Sequence, residues 1–82
     1  MTEKIVVEVI ARFDTAGTIT PLYIIWADGR RLKIDRVTDR RRAASLKSGG
    51  QGIRYCVKIY GQLRYLWYND MDNTWFVERQ MV

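Results

Sequence analysis

Three consecutive arginines, Arg40, Arg41 and Arg42, with Arg36 before them and Lys47 after, form the densest basic run in the chain. Side chains of this type hold phosphate oxygens or carboxylates by charge, and arginine adds paired N–H donors. A second group, Arg54, Lys58, Tyr60, Tyr65 and Trp67, alternates with apolar residues. Rings interleaved with cations suit single-stranded nucleic acid, because rings stack on bases and cations meet phosphates. Each group also has a plainer reading. A basic run can be a solvated face, and Tyr65 and Trp67 can fill the core of a small barrel. The candidate nucleic-acid contacts are Arg36, Arg40, Arg41, Arg42, Lys47, Lys58, Tyr65 and Trp67.

Catalytic chemistry is scarcer. There is no His and one Cys, so neither a Ser–His–Asp nor a Cys–His arrangement is available within the chain. Cys56 can make no intramolecular disulfide and reads as an inert thiol inside a strand. Asp70 and Asp72 flank Met71 where turn chemistry accounts for acids without a metal. The stretch Ser48-Gly49-Gly50-Gln51-Gly52 offers backbone N–H groups to an anion but lacks the Gly-Lys-Ser/Thr ending of a P-loop. The expectation is a non-enzymatic module with no cofactor and no metal.

Composition sets the frame for these residues. The 82 residues are 48% hydrophobic and 28% charged, which belongs to an ordinary globular chain with room for one domain. The net charge of +5 is unevenly placed: residues 29 to 47 hold eight basic side chains against Asp35 and Asp39 alone. The longest apolar run, Leu22 to Ala27, is far too short to span a membrane, and the expected location is the cytoplasm.

The elements that must position the candidates read as strands. Ile5, Val7, Val9, Ala11 and Phe13 share one side at period two. Asp14 to Gly17 is a turn. Asp28-Gly29 between two strand-like runs predicts a hairpin whose tight turn pairs Ile25 with Leu32 and Tyr23 with Ile34, all facing the core. Residues 39–47, with Ala43, Ala44 and Leu46, are the one place for a short helix. Ile53, Tyr55, Val57 and Ile59 alternate with polar residues up to Gly61-Gln62, where a two-residue turn pairs Val57 with Leu66 and Cys56 with Trp67. After the turn at Asp70 to Asn73 the register of the last strand is open. A five-residue loop pairs Trp67 with Trp75, and a four-residue loop pairs Tyr68 with Trp75. The pattern implies an all-β antiparallel meander of five to six strands curling into an SH3-like barrel. It forms one domain over 1–82, with a compact core at 21–79 and a more peripheral strand and turn at 1–20.

The run Trp26 to Val37, the stretch Arg41 to Tyr55 and the ending Trp75-Phe76-Val77-Glu78 resemble a small β-domain of unknown function from Clostridia-type bacteria. More loosely, the Trp–Asp-Gly-Arg spacing and a late Trp are similar to an actinobacterial domain of unknown function, often encoded near error-prone DNA polymerases. The resemblance covers roughly residues 21 to 79 and implies a compact β-domain in a DNA-repair setting. It carries no site residues across. Two functions therefore stand at this point. One is a nucleic-acid-binding module. The other is a protein-interaction or self-association module that docks an acidic partner, or an apolar one through Trp26 and Leu22.

Overall fold

The computed structural model describes residues 2–44 and 51–80. Seven strands make one sheet: β1 (Thr2–Phe13), β2 (Ile19–Ile25), β3 (Arg31–Lys33), β4 (Arg36–Ala44), β5 (Gln51–Ile59), β6 (Gln62–Asn69) and β7 (Thr74–Gln80). Their spatial order is β3-β2-β1-β7-β6-β5-β4, with every neighbouring pair antiparallel. The all-β expectation holds, with more strands than the five to six expected and with the sheet curled into a half-barrel.

Strand sense accounts for the extra element. If β1 and β7 are antiparallel, as are all other neighbours, then β3 and β4 must run the same way. They are two halves of one strand, bent at Ile34-Asp35. The first half pairs with β2 and the second with β5. At the bend, Ile34 N–H donates to the Leu22 carbonyl (2.9 Å) and Asp35 N–H donates to the Lys58 carbonyl (2.8 Å). The two ends of the sheet are thus tied together there, which shortens the open edges that a flat sheet would expose.

β1 is an interior strand between β2 and β7, and it presents Val7, Val9 and Ala11 to the core. Its β-branched residues suit a pleat, and its outer side stays open at Lys4, Val6 and Glu8. A bulge between Ile10 and Ala11 shifts the register with β2. Phe13, expected on the core side, lies beyond it and is 68% exposed. The following turn is held by Asp14, whose Oδ1 accepts from Ala16 N–H and Thr18 N–H (both 2.9 Å).

The Asp28-Gly29 hairpin forms with a three-residue loop instead of two. Gly29 N–H donates to the Trp26 carbonyl, Trp26 N–H to the Arg30 carbonyl, and Gly29 takes φ 87°. This is a type I turn closed by a left-handed glycine. The extra residue pairs Ile24 with Leu32 in place of Ile25 with Leu32. A slip of one residue exchanges faces. Ile24, not Tyr23 or Ile25, therefore joins Pro21 as a buried residue of β2, while Leu32 and Ile34 remain core-facing.

The β5–β6 turn sits at Tyr60-Gly61, both at positive φ (50° and 76°), and pairs Val57 with Arg64 and Cys56 with Tyr65. Relative to a turn at Gly61-Gln62 the shift is two residues, so every side chain keeps its face. The last strand adopts the four-residue loop, pairing Tyr68 with Trp75.

The expected helix over 39–47 is replaced by strand as far as Ala44; residues 45–47 lie outside the described residues. The helix propensity of Ala43 and Ala44 is a weak preference, and a ladder from Arg36 to Ala44 along β5 overrides it. Ile24, Ile34, Tyr55, Val57, Ile59, Leu66, Tyr68 and Trp75 form the core on the inner face of the curl.

Gly52 marks the tightest point of this packing. Its φ is 137°, and a Cβ there would overlap the Tyr68 carbonyl oxygen. Gly29 has nothing within contact distance of such an atom. Gly52→Ala is expected to lower the unfolding free energy by about 2–4 kcal/mol through strain and overpacking. Gly29→Ala is expected to cost about 1–2 kcal/mol. Urea denaturation of both variants checks this, and equal midpoints would contradict it.

Candidate nucleic-acid interface

Because β4 is a strand, its arginines alternate across the sheet. The bulge between Val37 and Asp39 sets the phase. Arg41 lies opposite Arg54 on the outer face, while Arg40 lies opposite Tyr55 and Arg42 opposite Ile53 on the inner side. Arg36 lies opposite Lys58, again on the outer face. The run read from sequence as one basic cluster is therefore divided between two faces.

The inner pair is engaged. Arg42 forms a two-point contact with Asp70, Nη2 to Oδ2 at 2.5 Å and Nη1 to Oδ1 at 3.3 Å. Arg40 Nε donates to the Tyr55 hydroxyl oxygen (3.4 Å), and its guanidinium carbon lies 5.8 Å from the Tyr55 ring centre. The Tyr55 hydroxyl in turn donates to the Ile19 carbonyl (2.6 Å). On the outer face, Arg41 Nε meets Asp39 Oδ2 at 2.9 Å. No ion pair is recorded for Arg36, Arg54 or Lys58 among the described residues.

The outer face reads as rows across the strands. One row runs Arg41, Arg54, Trp67, Phe76, Val6 over β4, β5, β6, β7 and β1. Trp67 stacks on Phe76 with centroids 5.7 Å apart and planes 7° apart. Lys4 Nζ stands 4.7 Å from the centre of the Phe76 ring, and the Arg54 guanidinium 4.5 Å from that of Tyr65. These are cation–π distances. A second row holds Asp39, Cys56 and Tyr65, and a third Arg36, Lys58 and Leu63.

The sequence-derived candidates therefore separate. Arg36, Arg41, Lys58, Tyr65 and Trp67 come together on the outer face. Arg40 and Arg42 do not join them, and Lys47 lies outside the described residues. Tyr65 is 53% exposed and offers a ring, whereas Trp67 is 3% exposed. Trp67 therefore belongs to the packing of this face and has no free ring surface for a base. Cys56 is half-buried beside Tyr65. Leu22 is exposed, and Trp26 packs on the core. Two contributors are absent from the candidate contacts, Arg54 and Lys4. The period-two pattern puts Arg54 on the Tyr65 side. Lys4 becomes visible only once β1 is known to pair with β7.

Electrostatics follow the pairing. Hydrogen bonds from Arg42 hold the Asp70 carboxyl below the usual carboxylate range, and Arg41 does the same for Asp39. Asp28 is lowered chiefly by the backbone N–H of Arg30. Among the described residues no helix is long and apolar enough to cross a membrane.

Comparison with family models, curated proteins and solved structures finds no match to this chain.

A depressed folded-state pKa stabilises above the unfolded value and stops doing so as pH falls through the folded one. The Arg42–Asp70 contact therefore contributes above roughly pH 4 and is lost below it. Asp70→Asn is expected to lower Tm near neutral pH, with the gap to the original chain closing as pH falls below the ordinary aspartate range. Thermal melts across pH check this; a gap that stays constant would contradict it.

Proposed function

We propose that this chain is a non-enzymatic nucleic-acid-binding module, which holds a single strand against the outer face of β4, β5 and β6. The observation that carries the reading is a pair of like-charged cross-strand neighbours, Arg36 with Lys58 and Arg41 with Arg54. Like charges directly opposite one another destabilise a sheet. A phosphate seated between them reverses that sign. Lys58 and Arg54 stand four residues apart on one strand, about 13 Å at strand rise. The exposed ring of Tyr65 lies between their rows. Cations at both ends and a ring in the middle suit a short stretch of backbone with one stacked base.

A second reading, docking of an acidic protein segment, is favoured by one observation. β4 is an end strand of the sheet, paired with β5 alone, and it carries the arginines. An extended acidic segment would add there through main-chain hydrogen bonds. The two readings separate at Tyr65, which edge pairing does not use.

Tryptophan fluorescence titration with short single-stranded oligonucleotides tests the proposal. Micromolar binding at low salt is expected, with a log–log salt slope of about −3 for four phosphate contacts. Arg36→Ala with Lys58→Ala is expected to reduce that slope by about 1.4. Tyr65→Ala is expected to weaken binding by about 1–3 kcal/mol. Absence of binding at low salt, or affinity indifferent to salt, would overturn the reading.

A further inference from the structure

The β6–β7 ladder ends at the Trp67–Phe76 pair, whereas β5–β6 continues to Ile59–Gln62. The free lengths of β6 and β7 part beyond that point. The inner face opens there as a cleft of about 710 Å³, on the opposite side of the sheet from the basic rows. Ile24, Trp26, Leu32, Ile59 and Val77 line it. A space of this size, at a barrel mouth and with an apolar bed, matches a small-molecule site.

The rim supplies charge. Arg64 stands at the lip and donates from Nη2 to Gln62 Oε1 (2.5 Å), a neutral partner. Arg79, also at the lip, is held by Glu3 (2.9 Å). Glu78 stands at the outer side of the gap, two residues on from Phe76. Tyr60 and Tyr65 flank the opening, both exposed. Tyrosine at such a rim gives an apolar body with a polar tip.

We infer that this cleft binds a small amphiphile with an apolar body and a single carboxylate head, the head held by Arg64. The aliphatic and indole groups of the bed take the apolar body. A carboxylate satisfies Arg64 with a charge-assisted hydrogen bond stronger than the one Gln62 provides. A cationic head would meet two lining guanidiniums, Arg64 and Arg79, against one lining carboxylate, Glu78, which stands at the outer side of the gap. The site shares Tyr65 with the nucleic-acid reading, but none of Arg36, Arg41, Arg54 or Lys58 lines it, and its test reads Arg64 and Leu32 instead.

The test uses decanoate, decanol and decylamine, with amide and indole N–H resonances of the full chain as the readout. Decanoate is expected to move the Trp26 indole signal and the amides of Leu32, Ile59 and Arg64, and decylamine is expected to leave them in place. Arg64→Gln is expected to weaken decanoate by at least about tenfold and to leave decanol unchanged. Leu32→Trp, which fills the bed, is expected to abolish both, with the spectrum of the remaining strands preserved. Three results would overturn the inference. Decylamine could bind as well as decanoate. The shifts could fall outside the cleft. The Trp26 signal could move with protein concentration alone, which would assign the cleft to a second copy of the chain.

Discussion

Two backbone hydrogen bonds at Ile34 and Asp35 reach in opposite directions, one to Leu22 on β2 and one to Lys58 on β5. They hold β2 and β5, near opposite ends of the sheet, to a single bent segment. Without them the sheet has two separate edges and no reason to curl. With them Ile34 drops into the interior at 7% exposure, and Val57, Ile59, Leu66 and Tyr68 face Ile24 across a shared core. The curl then defines an inner face, which stabilises the chain, and an outer face free to carry charge. Both the division of the arginines and the cleft between β6 and β7 follow from that geometry.

The outer face bears the features that packing alone does not favour. Arg41 opposes Arg54, and Arg36 opposes Lys58. Arg54 Nε and Trp67 Nε1 are buried with no hydrogen-bond partner. An unsatisfied buried group costs about 1–3 kcal/mol. The guanidinium of Arg54 over Tyr65 and the ammonium of Lys4 over Phe76 offset part of that cost. The inner face has the opposite character, with Arg42 matched to Asp70 and Tyr55 bonded to Ile19. On the outer face Asp39 is the partner of Arg41, while Arg36 and Lys58 oppose each other with no ion pair among the described residues.

Much of this was legible in the residues, and the failures have physical causes. Period-two alternation over 53–60 identified the inner and outer sides of β5, and a two-residue error at the turn left them intact because it is a whole period. A one-residue error at Asp28-Gly29 exchanged Ile24 for Ile25. The dipeptide suits a two-residue loop and a three-residue loop alike, since both need glycine at positive φ. The β5–β6 turn carries Tyr60 at φ 50°, a position that composition gives no reason to expect. The bend at Ile34-Asp35 contains neither Gly nor Pro, so nothing local announces it. Reading 39–47 as a helix gathered the arginines into one cluster, whereas a strand of the same residues sends alternate side chains to opposite faces. Trp67 was placed on the correct face, but its burial under neighbouring side chains depends on Phe76, a long-range partner.

The central claim is that the outer face of β4 to β6 is the binding surface and that the inner arginines are structural. Amide chemical-shift mapping with a short single-stranded oligonucleotide tests it most directly. Shifts concentrated at Arg36, Arg41, Arg54, Lys58 and Tyr65, with Arg40 and Arg42 little changed, are expected. Shifts centred on Arg40 and Arg42, or none at saturating oligonucleotide in low salt, would contradict the account.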